Sequence, residues 1–274
     1  MNGKLLLVGA GNMAQDYAHV LIDLNQNFDV VCRSEKSAST FLDKMKIPCM
    51  TGGIEGISDF GQYEMAIVAT PVTSIFGCAK ILIENGVKNL LLEKPGGINE
   101  KQITDLNILS LKNDSKISIA YNRRFYQSVE EAKKIIQEDG GCFTAQFDFT
   151  EWSHVIEKID MPSELKENWF LANSTHVIDL AFYLIGKPTE MYAQHQGELS
   201  WHKPSKFSGS GITDRNVLFH YGANWESAGR WGIEITTAKR KLIFCPVERL
   251  KIQKKGTIDI VTLENIDYKK DQDF

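Results

Sequence analysis

A lysine closes the apolar run Leu90-Leu91-Leu92-Glu93-Lys94-Pro95. Lysine is almost never buried without a partner, so a charge at the end of such a run asks for a reason. In a parallel sheet, ligands bind in the crevice outside the carboxyl ends of the strands. A cation at that end is placed to meet one. The chain also begins with Leu5-Leu6-Leu7-Val8-Gly9-Ala10-Gly11-Asn12-Met13-Ala14, a GxGxxA pattern between an apolar strand and a helical repeat. Gly9 suits the tight turn, Gly11 lets the backbone approach a pyrophosphate, and Ala14 is small enough for close helix–strand packing. The amides of Asn12, Met13 and Ala14 then open a helix whose N-terminus favours phosphate. A dinucleotide cradle and a strand-end cation together point to hydride transfer, which neither does alone.

The end of the second strand bears on the cofactor. NAD sites place an acid there for the ribose hydroxyl, whereas this chain reads Val31-Cys32-Arg33-Ser34-Glu35-Lys36. The guanidinium of Arg33 and the hydroxyl of Ser34 suit a 2′-phosphate. NADP is the preferred expectation, with NAD as the alternative through Glu35.

The elements that would position these residues alternate. Strands are expected at 4–8, 28–32, 65–69, 89–92 and 116–121, and helices at 12–24, 37–45, 73–85 and 100–111. Strands separated by helices of this length imply crossovers and a parallel sheet covered on both faces. After residue 121 the pattern changes. Helices are expected at 128–138 and 175–185, and strands at 143–150, 217–220, 231–236, 241–244, 250–253 and 258–261. The expected fold class is therefore α/β. An N-terminal Rossmann, doubly wound sheet (1–121) precedes an α+β domain (122–274) with a large, mainly antiparallel, open-faced sheet. The stretches 152–168 and 194–214 read as loops that would set specificity, and the polar tail 267–274 as loose.

Bulk properties narrow the class. The 274 residues are 43% hydrophobic and 24% charged, as in an ordinary globular protein. A net charge of -4 gives no electrostatic reason to expect nucleic acid as a partner. No apolar run has the length of a membrane span, and a strand that starts within four residues of Met1 leaves no room for a signal peptide. The five cysteines are scattered and never form a CxxC pair. They read as reduced cytoplasmic thiols, with neither a disulfide framework nor a metal site.

Taken in order, the motifs resemble the glucose–fructose oxidoreductase / inositol dehydrogenase (Gfo/Idh/MocA) family. The resemblance runs through GxGxxA, Ala69-Thr70-Pro71, Glu93-Lys94-Pro95, Tyr121-Asn122-Arg123-Arg124-Phe125, His176-Val177-Ile178-Asp179 and the strand Gly229 to Ile235. It implies a nicotinamide lying near Lys94, with Lys94 contacting the reacting oxygen and a Lys-Pro peptide that is often cis. It implies that Thr70, Pro71 and Glu93 belong to the cofactor site, and that His176 is the catalytic histidine that exchanges a proton with the substrate. Arg124 and Asn173 are candidate substrate contacts, although a carboxylate is an equally good partner for Arg124. Asp179 either orients the imidazole or satisfies backbone.

One position departs from the family. Its polyol dehydrogenases often carry an aspartate four residues before the histidine, and here Ala172 stands there, followed by Asn173. Asparagine can hydrogen-bond a hydroxyl but cannot take a proton. The resemblance thus implies an NAD(P)-dependent oxidoreductase acting on a sugar or sugar derivative, nucleotide-linked keto sugars included. The alternatives are reduction of a non-sugar C=O or C=N bond, and a non-catalytic NADP sensor. A small-molecule substrate, no nucleic-acid or membrane partner, a cytoplasmic location and a homodimer or homotetramer built on the C-terminal sheet complete the expectation.

Overall fold

Runs of leucine and valine with side chains pointing alternately to two faces need cover on both. The computed structural model, which describes residues 3–263, shows how they obtain it; the tail 267–274 lies outside the described residues. The chain divides into two units, Met1–Ala120 and Tyr121–Phe274.

In the first unit the order is β1 (Lys4–Val8), α1 (Asn12–Asp23), β2 (Phe28–Val31), α2 (Glu35–Met45), β3 (Cys49–Met50), β4 (Tyr63–Val68), α3 (Val72–Glu84), β5 (Asn89–Leu92), α4 (Glu100–Lys112) and β6 (Lys116–Ile119). Among the described residues these six strands form one sheet in the order β3-β2-β1-β4-β5-β6, every pair parallel. Leu6 and Val8 pack with Ile75, Leu82 and Leu106 of α3 and α4. Leu5 and Leu7, one residue out of phase, pack with Ala14, Ala18 and Phe41 of α1 and α2. This is the doubly wound Rossmann arrangement, with its order reversing between β1 and β4. The two-residue β3 is too short to carry a periodic signal and goes beyond the five strands read from sequence.

The second unit contains α5 (Gln127–Glu138), β7 (Thr144–Asp148), two short helices α6 (Ser153–Ile156) and α7 (Ser163–Glu167), then α8 (Thr175–Ile185). Seven strands follow: β8 (Pro188–Gln196), β9 (Lys206–Thr213), β10 (Leu218–Asn224), β11 (Gly232–Thr236), β12 (Arg240–Phe244), β13 (Leu250–Lys254) and β14 (Ile260–Thr262). The described sheet runs β14-β13-β12-β11-β7-β10-β9-β8, antiparallel except where β7 meets β10. Apolar residues of α5 and α8, among them Val129, Ala132, Val177, Leu180 and Leu184, pack on Phe147, Phe219, Ile233 and Ile235 of the sheet. The edge strand β8 is exposed along its whole length.

The stretch 194–214 is a loop only over 197–205; residues 194–196 end β8 and 206–213 form β9. Segments such as Gln194-His195-Gln196 and Ser208-Gly209-Ser210-Gly211 carry no apolar alternation, so periodicity is silent, yet β8 and β9 stay in register over most of their length. The glycines permit close cross-strand packing: a Cβ on Gly209 would lie 2.3 Å from the Tyr221 ring, and one on Gly211 would lie 2.1 Å from the Glu190 carbonyl oxygen. The stretch 152–168 likewise contains α6 and α7.

One buried ion pair fixes α5 to the sheet. Asp139, just past the end of α5, accepts from Arg240 Nε and Nη2 at 2.8 Å each and from Thr237 Oγ1 at 2.7 Å. The guanidinium beside it lowers its pKa to about 2, against about 3.9 for a free aspartate. The folded value lies below the unfolded one, so the pair stabilises above pH ~4 and that stability is lost as pH falls through ~2. Urea midpoints measured between pH 5 and 2 should fall steeply for the wild type and much less for Asp139→Asn. Arg240→Ala should cost about 3–5 kcal/mol, as expected when a buried carboxylate loses its partner.

Candidate functional site

The register of three neighbouring strands lines up the motifs of the first unit. Val8, Val68 and Leu92 are paired across β1, β4 and β5. The ladder continues one step beyond the strands, with Gly9 N bonded to Val31 O, Ala69 N to Val8 O and Glu93 N to Val68 O at 2.8–2.9 Å. Gly9, Ala69 and Glu93 therefore form one row at the carboxyl edge, and Ala10, Thr70 and Lys94 follow them. Gly9 adopts φ +123, and a Cβ there would sit 2.3 Å from the Ala69 carbonyl oxygen. Glycine is required on both counts.

Gly11 is different. Its φ of -78 is open to any residue, and a Cβ built there meets no protein atom within 4 Å. Nothing in the protein's own packing demands glycine, so the requirement falls on whatever approaches the turn from outside. Gly11 is also the N-cap of α1 and supplies no side chain to its first amides, while Ala14 is fully buried against β1. Asn12 and Met13 are exposed beside them. Thr70 Oγ1 is a buried polar atom with no hydrogen-bond partner among the described residues, and Pro71 caps α3. An uncapped helix start, a Gly11 that packing does not need and an orphaned hydroxyl in the adjacent turn fit a dinucleotide.

Lys94 is half-buried and joined to Pro95 by a cis peptide bond. Its neighbour Glu93 is held from two sides: Tyr17 on α1 donates to Oε1 at 2.8 Å, and the Lys94 backbone amide donates to Oε2 at 3.3 Å. Burial, and the Glu93 charge after it, push the Tyr17 phenol up, so it stays a donor. Tyr17 lies outside the motifs and was not anticipated from sequence; only its place on the inner face of α1 hints at it.

Arg33 is exposed, with Nη2 3.4 Å from Ser74 Oγ on α3. Ser34 caps α2 by accepting from the Ser37 amide at 3.2 Å. Its hydroxyl thus has a local structural task beside Arg33.

In the second unit His176 is the second residue of α8 and follows a π-helical turn, Phe170–Ser174. Its ring lies edge-on to Tyr121, with centroids 6.1 Å apart, and tilted against Trp231 at 6.1 Å. Asp179 receives Arg124 Nε at 2.7 Å and a second bond from the same guanidinium, a bidentate pair that occupies Arg124 within the unit. Arg123 is buried over Trp231, 4.8 Å from its centroid, and pairs with Glu248 at 3.6 Å. Trp152 stacks on Arg230, while Trp169 and Trp201 pack against each other. Asn173 is half-buried and turns its amide to Glu151 at 3.1 and 3.3 Å. Glu151 was not anticipated. The signal was available, because continuing the alternation Ala145, Phe147, Phe149 puts Glu151 on the buried face.

Fold and row of motifs define a Rossmann unit with a candidate dinucleotide cradle at the carboxyl edge of its sheet. Residues 4–121 match the model described as "Oxidoreductase family, NAD-binding Rossmann fold", that of the Gfo/Idh/MocA proteins. Over that segment the chain carries the NAD-binding domain of this family. No curated protein matches the sequence. Solved structures share the fold at low identity. An NAD-binding oxidoreductase from Klebsiella pneumoniae is 17% identical, with TM-score 0.77 over 95% of this chain and 79% of its own. Levoglucosan dehydrogenase, in complex with NADH and levoglucosan, is 17% identical, with TM-score 0.77 over 96% and 80%. UDP-N-acetylglucosamine 3-dehydrogenase from Acidithiobacillus ferrooxidans is 13% identical, with TM-score 0.74 over 97% and 84%.

The two glycines of the cradle should separate in experiment. Gly11→Val should cost no more than about 1 kcal/mol, the difference between glycine and a poor N-cap residue at a position where the new side chain collides with nothing. It should weaken binding of NADH and NADPH alike by at least about tenfold, read by nucleotide fluorescence. Gly9→Ala should lower the thermal midpoint itself, because its cost lies in backbone strain and a collision with β4.

Proposed function

We propose that the protein is an NADP-preferring oxidoreductase that moves hydride between nicotinamide and a hydroxyl- or keto-bearing carbon of a sugar or sugar derivative. The observation that carries this reading is the row at the carboxyl edge of β1, β4 and β5. There the Gly9–Gly11 turn, Thr70-Pro71 and Glu93-Lys94 come from three adjacent strands at the reversal of strand order. That is where doubly wound sheets bind dinucleotides. The sugar class is supported by the neighbours' names, a levoglucosan dehydrogenase and a nucleotide-sugar dehydrogenase. Residues 1–121 would bind the dinucleotide, and 122–274 would bind substrate and build a homo-oligomer through the open sheet.

Bound nicotinamide supplies or accepts the hydride. The Lys94 ammonium offers positive charge to the substrate oxygen as negative charge builds on it. Tyr17 and Glu93 hold the segment that carries it. The His176 imidazole exchanges the oxygen's proton, a task that suits a ring type able to gain and lose a proton near neutral pH. The Arg33 guanidinium offers paired donors to a 2′-phosphate.

Lys94→Ala should lower kcat by about 10²–10³, the cost of removing one oxyanion donor, while NADPH still binds within a few fold. The assay is NADPH oxidation over a panel of keto sugars and nucleotide-linked keto sugars. Wild-type rates in the variant would sink the assignment of Lys94. Arg33→Ala should weaken NADPH at least about tenfold more than NADH, the worth of one charge-assisted hydrogen bond. Equal losses would count against the NADP preference.

A further inference from the structure

A carboxylate that water barely reaches needs donors to compensate its lost hydration. Glu151 is 1% exposed. It accepts from Ser174 Oγ at 2.8 Å, from Asn173 Nδ2 at 3.1 and 3.3 Å, and from Arg230 Nη1 at 3.4 Å. Arg230 is itself gripped between Trp152 and Trp231, with its guanidinium 4.7 Å from each ring centroid. Burial pushes the Glu151 pKa up, and the Ser174 hydroxyl, the Arg230 charge and the Asn173 amide oppose that shift. Two of its partners, Asn173 and Ser174, belong to the π-helical turn that leads into His176.

The chemistry of this contact sets the direction of the amide. An ionised carboxylate only accepts, and Asn173 turns its NH₂ group to both oxygens of Glu151. The amide oxygen is then committed to the other side. Asn173 is half-buried and stands three residues before His176, in the π-helical turn that leads directly into α8. At Ala172, where an acid would stand in the related polyol dehydrogenases, this chain has no side-chain acceptor.

We propose that Glu151 is a positioning residue that locks the Asn173 amide with its oxygen outward, as a neutral acceptor for a substrate hydroxyl next to the carbon served by His176. The inference rests on the oxidoreductase reading given above. The hydroxyl donates to Asn173 Oδ1 in both oxidation states of the substrate, and no proton is transferred there. The contact therefore orients substrate and selects α-hydroxy ketones, and the corresponding vicinal diols, over analogues deoxygenated at the neighbouring carbon.

The test has two arms on the full chain. In the first, side-chain amides of asparagine are labelled with ¹⁵N and the Asn173 signal is assigned with Asn173→Ala. The wild type should show two inequivalent Nδ2 protons that exchange slowly. Glu151→Ala should lose that signature, and Glu151→Gln, whose amide oxygen still accepts, should recover it. A signal unchanged in Glu151→Ala, or already averaged in the wild type, overturns the positioning.

In the second arm, whichever keto sugar of the panel turns over with NADPH is compared with its analogue lacking the neighbouring hydroxyl. Asn173→Ala and Glu151→Ala should raise KM for the hydroxylated substrate about tenfold, the worth of one good hydrogen bond. The KM of the deoxy analogue should stay unchanged, and Glu151→Gln should restore most of the loss. Equal losses on both substrates overturn the acceptor role. If the wild type turns over nothing in the panel, the oxidoreductase reading fails together with the substrate half of this proposal, and the amide signal alone decides the positioning half.

Discussion

The first unit depends on how closely two backbones pass at the end of β1. At Gly9 the carbonyl of Ala69 stands where any other residue would carry its Cβ. The missing atom lets β4 run alongside the turn, keeps Val8 in register with Val68, and through Val68 with Leu92. Everything attributed to the dinucleotide edge follows from that register. A slip of one residue would turn Lys94 to the opposite face of the sheet. The glycine is therefore a contact between strands before it is part of a ligand site.

The second unit is held by carboxylates that are buried or nearly so, each matched to a set of donors. Asp139 with Arg240 and Thr237, Arg124 with Asp179, and Glu151 with Ser174, Asn173 and Arg230 each bring a carboxylate to donors on distant segments. Such sets add less net stability than their short distances suggest, because the desolvation of each charge offsets the attraction. What they fix is geometry. Arg124 lies three residues from Tyr121, whose ring meets the His176 imidazole, and Asp179 lies one turn along α8 from that histidine. The ion pair thus ties the entry of the unit to the helix that presents His176.

Sequence and structure agree where burial leaves a periodic trace. The leucine and valine runs of β1, β4 and β5, the GxGxxA turn and α8 could all be read, because each buries an apolar face of definite period. β8 and β9 could not, since backbone pairing and glycine fit hold them rather than apolar alternation. Among the candidate residues, those in local motifs could be named from sequence: Gly9, Gly11, Thr70, Lys94 and His176. Tyr17 and Glu151 were not, because each acts on a partner far along the chain. Tyr17 meets Glu93 76 positions on, and Glu151 meets Asn173 22 positions on. No spacing rule connects such pairs.

The position of β7 has a consequence for how the second unit forms. It comes first among that unit's strands, yet it sits in the middle of the sheet, between β10 and β11. Its pairs join residues about as far apart as Asp148 and Gly222, or Thr144 and Thr236. Neither neighbour exists until most of the chain has been made, so the apolar faces of α5, β7 and α8 must wait for it. Contacts of such long range are closed slowly, and the exposed surface invites mispairing meanwhile. The first unit, built from neighbouring crossovers, has no such delay. In vectorial synthesis the first half can close its sheet as it emerges, while the second keeps apolar surface open until β10 and β11 have been made.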